Sequence, residues 1–251
     1  MMDDRAVSEA IGFILILGLV LTGIGLVTLY GYPVLAKEQS STDVKNMERA
    51  MIVIQNDMKS LCYKNVPYKE STIQVSGGTL EVIGVGDYGS SITVETESGA
   101  WPQDYPLGAL VYRSDRSNEV ITLENGAVIT RQEGLAGSAM LAEPRWFYDG
   151  PEKTFVIYIM NVTASDRMAK SGMATVRMKR LDTPSNPPIL NPGMVTVTYN
   201  GPSDKHSTAW KNYLTGPTVG MRLKSGAENT YEILNVNKFV VKEYDIEILS
   251  I

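Results

Sequence analysis

The chain has one cysteine, Cys62, and one histidine, His206, in 251 residues. The first count excludes an intramolecular disulfide and a cysteine-built zinc cluster within one chain; the second leaves His206 without a second imidazole to share a metal ion. Charge of one sign is not concentrated either. Lys and Arg total 23 against 28 Asp and Glu, a formal net charge of −5, and the two signs are interspersed. That pattern excludes the basic footprint of a nucleic-acid binder and an acidic tail. An exported domain built from this sequence holds together by packing alone. Cys62, four residues after Met58, reads as a small core residue rather than an intermolecular or lipid-carrying thiol.

Residues 10–30 contain no charged side chain. At about 1.5 Å of rise per residue they form a helix roughly 30 Å long, the thickness of a bilayer's hydrocarbon core. A cleavable secretory signal is disfavoured on three counts: the leader is net acidic, the apolar run is long, and it ends in Tyr30-Gly31-Tyr32-Pro33 rather than in a small-residue cleavage site. Tyr30 and Tyr32 suit a headgroup boundary. Arg5 before the segment and Lys37 after it balance, so basic residues do not set its orientation. Gly12, Gly18, Gly23, Gly25 and Gly31, with the pair Gly18 and Thr22 four residues apart, supply small-residue faces through which helices approach closely in lipid.

The opening letters are more specific. Arg5-Ala6-Val7-Ser8-Glu9-Ala10-Ile11-Gly12, followed directly by an apolar helix, resembles the N-terminus of archaeal type IV pilin-like proteins over about residues 3–31. The resemblance implies a prepilin peptidase that recognises Arg5 and Ala6 and cuts between Ala6 and Val7, leaving the helix on the mature chain. It also implies single-pass residence in the cell membrane with the C-terminal domain outside the cytoplasm, and as partners membrane lipid, other pilin-like subunits and their assembly machinery. Glu9 departs from the bacterial pattern, in which the glutamate is the fifth residue of the mature chain; here it is the third. Two roles stand open for it: a carboxylate near the helix start, favoured by the dipole by about 0.3–1 kcal/mol behind a Ser8 N-cap, or the partner of the Val7 ammonium that cleavage creates.

Beyond Pro33, which breaks or kinks the path, the residues Val44, Met47, Met51, Ile54, Met58 and Leu61 recur at spacings of three and four. They predict an amphipathic helical extension over residues 32–65, its methionines serving as core filler. From residue 71 the pattern becomes that of strands. Residues 72–75 and 79–83 flank Ser76-Gly77-Gly78 as a hairpin, and further strands are expected at 91–96, 109–113, 119–123, 127–131, 154–161, 173–180, 194–199, 219–223, 230–233 and 238–249. The expected fold class is α+β: a long N-terminal hydrophobic helix with a helical extension, followed by an antiparallel β-sandwich-like domain over residues 71–251. The leader occupies residues 1–6 and the membrane helix residues 7–31. Trp101, Trp146 and Trp210 read as core anchors near strand ends, and the proline-rich residues 183–192 as a stiff loop.

Chemistry is harder to find. Gly84-Val85-Gly86-Asp87-Tyr88-Gly89 matches the dinucleotide fingerprint in letters, but a strand rather than a helix follows it, so it reads as a turn. His206 lies in a turn-rich stretch and reads as a solvated loop histidine; no nucleophile motif accompanies it. Glu95 and Glu97 share a strand face without specifying a glycosidase. Asn161-Val162-Thr163 is a glycosylation sequon after the strand expected to end near Met160. No catalytic residue, metal or cofactor is expected. The function expected from the resemblance is a structural or adhesive subunit of a type IV pilus-like surface filament, with a permanently anchored exported binding domain as the alternative.

Overall fold

The structure, a computed structural model, describes residues 4–64, 66–97, 103–183, 186–201 and 205–251, and for residues 4–10 the backbone alone. Trp101 and Pro184 therefore lie outside the described residues, as do residues 202–204 before His206. The chain is α+β, with a long N-terminal apolar helix followed by a large antiparallel β-sheet domain. It divides into two units, residues 1–43 and residues 44–251.

The first unit is helical. Helix α1 runs Asp4–Leu26 and is followed by a π-helical segment, Val27–Gly31, and by the first residues of α2, Tyr32–Tyr63. The wider turn sits immediately before Pro33, whose ring and missing N–H disturb the regular ladder in the preceding turn. Within α1, Thr22 Oγ1 donates to the Gly18 carbonyl at 2.7 Å, which satisfies the hydroxyl within its own helix. Leu19 is 76% exposed, and Phe13, Ile16, Val27 and Tyr32 are similarly bare. Because α1 already includes Ser8, Ser8 is not an N-cap in the full-length chain, and Glu9 lies beyond the first turn.

In the second unit, the C-terminal part of α2 packs by its methionine stripe. Met47, Met51, Ile54, Met58 and Leu61 are essentially fully buried and share a core with Leu80, Val82, Tyr112, Ile121 and Val176 of the sheet. At about 1.5–3 kcal/mol per buried side chain these five contribute on the order of 10 kcal/mol before entropy is counted. Gln55, also buried, donates from Nε2 to the carbonyls of Gly126 (2.6 Å) and Glu143 (3.1 Å), so a polar clip sets the helix's position along the sheet. Cys62 is buried in the same core, and burial, opposed by the Arg180 charge, pushes its thiol up to about 12.

Among the described residues thirteen strands form one hydrogen-bonded sheet: β1 Tyr68–Ile83, β2 Ser90–Thr96, β3 Gln103–Leu107, β4 Ala109–Ser114, β5 Glu119–Glu124, β6 Ala127–Gln132, β7 Ser138–Ala142, β8 Phe147–Asp149, β9 Thr154–Thr163, β10 Met168–Arg180, β11 Ile189–Asn200, β12 Arg222–Leu223 and β13 Thr230–Ser250. The main path runs β3-β2-β11-β13-β10-β1-β4-β5-β6-β7. Pairing is antiparallel except between β9 and β13. Strands from opposite ends of that path share one core: Ile92 of β2 and Leu107 of β3 lie in the same cluster as Ile129 of β6, together with Phe155 of β9 and Phe239 of β13, whose rings stack on each other. The sheet thus curls over itself in a sandwich-like manner, burying both apolar faces.

Several local expectations are corrected. The hairpin at Ser76-Gly77-Gly78 is a bulge within one strand, because β1 pairs with β10 on both sides of a register shift between Val75 and Leu80. Gly77 has φ +62°, and a Cβ on Gly78 would collide with the Arg113 carbonyl and the Tyr112 ring. These glycines serve a kink and a close strand approach instead of a chain reversal. Similarly, 230–233 and 238–249 are one strand whose interruption is a bulge at Asn235, φ +58°. Strand β11 starts at Ile189, so Pro192 lies inside a strand and not in a loop. Strands β3, β7 and β8 were not foreseen, nor was helix α3, Ser207–Leu214, on which Trp210 sits. Only Arg222–Leu223 of the expected strand 219–223 forms.

Candidate functional site

Two features of the molecule call for a functional account: the bare apolar helix of the first unit and a buried carboxylate with an adjoining cleft in the second.

Among the described residues one helical run, beginning at Ile11, is long and apolar enough to cross a membrane, and none of its most apolar window is buried within the chain. Gly12, Gly18, Gly23 and Gly25 have open space among the described residues where a Cβ would stand. Gly18 and Thr22 lie one turn apart on this run. Arg5, Ala6, Val7 and Glu9 belong to the backbone of α1, their side chains being outside the described residues. Asn161 lies within β9, not past its end, and its Oδ1 accepts the Gly108 N–H at 3.2 Å.

The carboxylate is Glu124, the last residue of β5, held by a two-residue turn, Asn125-Gly126, into β6. Both turn residues have positive φ, +44° and +71°, the geometry that suits tight hairpins and that Asn-Gly readily adopts. The turn is anchored from two sides. Asn125 Oδ1 accepts the Met160 N–H at 2.8 Å, and the Gly126 carbonyl accepts from Gln55. Glu124, with no exposed surface, is fixed at the strand end by this scaffold.

Four donors converge on it from distant parts of the chain. Trp210 Nε1 donates to Oε1 at 2.7 Å and Tyr199 Oη to the same oxygen at 2.9 Å; Tyr88 Oη donates to Oε2 at 2.6 Å; His206 Nδ1 lies 3.2 Å from Oε1. Ser90 Oγ donates to Tyr199 Oη at 3.3 Å, extending the network. Burial pushes the Glu124 carboxyl upward, but the His206 charge and the hydrogen bonds from His206, Trp210 and Tyr88 together outweigh it, and the net shift is downward. Burial first, and then the Glu124 charge, hold the Tyr88 and Tyr199 phenols well above their usual range, so both remain neutral donors. Tyr199 also stacks on Trp210, centroids 5.4 Å apart. The carboxylate's lone pairs are committed to these donors, and the network's evident work is to fix α3 and the 84–89 turn to the end of β5.

His206 is therefore not the solvated loop residue its sequence context implied. It immediately precedes α3 and is buried, with Nδ1 toward Glu124 and Nε2 lacking a hydrogen-bond partner among the described residues. Sequence reasoning missed it because its partners, Glu124 and Tyr88, lie 82 and 118 positions away. The 84–89 segment is a turn, as read, with Gly86 and Gly89 at positive φ, and its use is to deliver Tyr88 to the carboxylate.

Beside the network opens a cleft of about 210 Å³. Arg113 of β4, Arg131 of β6 and Lys205 supply three cationic side chains to its lining, against one carboxylate, Asp87. Ile83 and Val111 give it an apolar wall that belongs to a small third core cluster. His206 and Tyr88 line it too, which joins it to the Glu124 network. Among the described residues no group of three His, Cys, Asp or Glu is arranged to hold a metal ion.

A family model described as a family of unknown function (DUF7289) matches residues 5–236, nearly the whole chain. The chain belongs to this family. No curated protein and no solved structure matches it. The match begins at Arg5 and takes in the apolar helix, the α2 stripe, the Glu124 network and the cleft, so the family's sequence pattern covers the apolar helix and all of the sheet domain but the greater part of β13.

Proposed function

We propose that the chain is a pilin-like subunit of a cell-surface filament, inserted in the membrane by α1 and displaying the sheet domain outside the cytoplasm. The single observation that carries this reading is the bare apolar helix: from Ile11 to Leu35 its large apolar side chains are uncovered, and Gly12, Gly18, Gly23 and Gly25 face open space. Such a surface is stable only in lipid or against other apolar helices. Small-residue faces of the Gly18 and Thr22 kind favour close helix approach once the chains share a membrane. The Arg5-Ala6-Val7 junction supports processing by a prepilin peptidase, which would leave Val7 as the new N-terminus and place Ser8 and Glu9 at the start of the mature helix.

The test is the mass of the native N-terminus with the sheared-filament fraction of the same cells. Cleavage between Ala6 and Val7, abolished by Arg5→Glu with Ala6→Leu, is the expected outcome, with the protein recovered in sheared filaments. In filaments, Glu9→Gln separates the two roles of the glutamate. Loss of assembly with normal processing identifies Glu9 as the partner of the Val7 ammonium, since breaking a buried ion pair costs roughly 3–5 kcal/mol; unchanged assembly leaves it a helix-start carboxylate. A mature chain that begins at Met1, or one that has lost the whole apolar segment, overturns the pilin reading. Correct cleavage without filaments points to the permanently anchored binding domain.

A further inference from the structure

The cleft beside the Glu124 network is over-supplied with positive charge in one specific place. The Arg131 side chain is 7% exposed, yet its Nε is buried with no hydrogen-bond partner among the described residues. Among the described residues it pairs with Glu133, at 3.7 Å from Nη2, and the same Glu133 oxygen is held more closely by Arg113, at 3.2 Å. A guanidinium stays charged at any physiological pH and presents five N–H donors in a planar fork. A buried guanidinium N–H left without an acceptor is costly, so the unpartnered Nε of Arg131, whose charge is met by one distant and shared carboxylate, is conspicuous in a folded chain. Next to it His206 Nε2 is likewise buried and unpartnered, while Nδ1 is directed to Glu124.

We propose that this cleft is a binding site for a small oxyanion, a carboxylate or phosphate group carried by a larger molecule. Arg131 is its principal ligand, Arg113 and Lys205 attract the anion at the more open side, and His206 offers a further polar contact. The charge balance admits such a ligand: three cationic side chains line the cleft against Asp87, with Glu133 already shared between two arginines. The apolar wall of Ile83 and Val111 lowers the local dielectric, which strengthens the pairing of an oxyanion with the guanidinium fork. The cleft, about 210 Å³, has room for a phosphate or one acidic sugar ring. The network behind it positions the site. Glu124 holds Tyr88 and His206, two of the residues that line it. This inference is independent of whether the chain polymerises.

The experiment is isothermal titration of the full-length chain in detergent micelles with inorganic phosphate, with glucuronate and with neutral glucose, all at constant ionic strength. Saturable binding of phosphate or glucuronate, and none of glucose, is expected; which of the two binds distinguishes a phosphate source from an acidic sugar. Arg131→Met should weaken that binding by at least about tenfold, as loss of a charge-assisted fork implies, while the protein still unfolds cooperatively at a temperature no lower than wild type. Arg131→Lys, which keeps charge but not the fork, should fall between the two. The remote Arg222→Gln should bind as wild type does. Absence of saturable binding of both anions overturns the proposal, and so does an Arg131→Met chain that binds with wild-type affinity. Should that variant fail to fold, Arg113→Gln and Lys205→Gln carry the test, because both alter side chains at the open side; affinity unchanged in both overturns it equally.

Discussion

Replacing Glu124 in a graded series tests the central claim about the sheet domain, that one buried carboxylate joins α3, β11 and the 84–89 turn to the end of β5. Glu124→Gln keeps the shape and one carbonyl oxygen. That oxygen can still accept from Trp210 and Tyr199, while the new amide nitrogen faces Tyr88, whose hydroxyl rotates to accept from it. What is lost is the charge on the hydrogen bonds, a cost of about 2 kcal/mol. Trp210→Phe removes one charge-assisted donor and should cost a similar amount, about 1.5–3 kcal/mol. Glu124→Leu is different in kind. It strands three of the four buried donors, Trp210 Nε1, Tyr199 Oη and Tyr88 Oη, each worth about 1–3 kcal/mol when left unsatisfied, while the His206 imidazole can carry its proton on Nε2 instead. The resulting loss of roughly 3–9 kcal/mol is comparable with the whole stability of a typical domain, about 5–15 kcal/mol. Urea unfolding of the full-length chain in detergent, followed by tryptophan fluorescence, should rank Glu124→Gln and Trp210→Phe together and Glu124→Leu far below them, if it folds at all. A Glu124→Leu protein within about 1 kcal/mol of Glu124→Gln would refute the reasoning, because it would mean that the donors find other partners.

Acid should expose the same carboxylate. Its pKa is lowered in the fold, so the stability it contributes is complete above its ordinary value of 4.5 and is lost as pH falls through the lowered one; urea midpoints measured below pH 4.5 should fall less steeply for Glu124→Gln than for wild type. Gly78→Ala places a methyl group against the Arg113 carbonyl and the Tyr112 ring and should cost about 3 kcal/mol in the same assay, whereas Gly12→Ala, in open space, should leave the sheet domain's midpoint unchanged. Cys62, buried and with its thiol pushed up to about 12, should resist alkylation at pH 8 in the folded protein and react at once in denaturant; rapid labelling of the native chain would contradict its placement in the core. Gln55→Met removes the donor to the Gly126 and Glu143 carbonyls and should cost about 1–3 kcal/mol, read from the same urea curves.

The sequence by itself determined what depends on local periodicity. The uncharged run after Glu9 has the length of a membrane helix, and the stripe from Val44 to Leu61 marks the helix face that the sheet covers, because side chains three and four apart share one side of a helix whatever they meet. Most strand positions follow in the same way from alternating side chains between turn residues. The tertiary structure decided everything that requires knowing which strand lies beside which. Gly77-Gly78 and the residues around Asn235 carry turn chemistry, yet they are bulges, since pairing with β10 and β11 continues on either side of the break and outweighs the local preference. His206 reads as solvent-facing until α3 folds it against a carboxylate 82 positions earlier in the chain. Glu124 itself, a charged residue before an Asn-Gly turn, looks like an ordinary strand end. Only the curling of the sheet brings Tyr88, Tyr199, His206 and Trp210 around it, because convergence of donors on one oxygen pair is a property of contacts between distant segments and leaves no periodic trace along the chain.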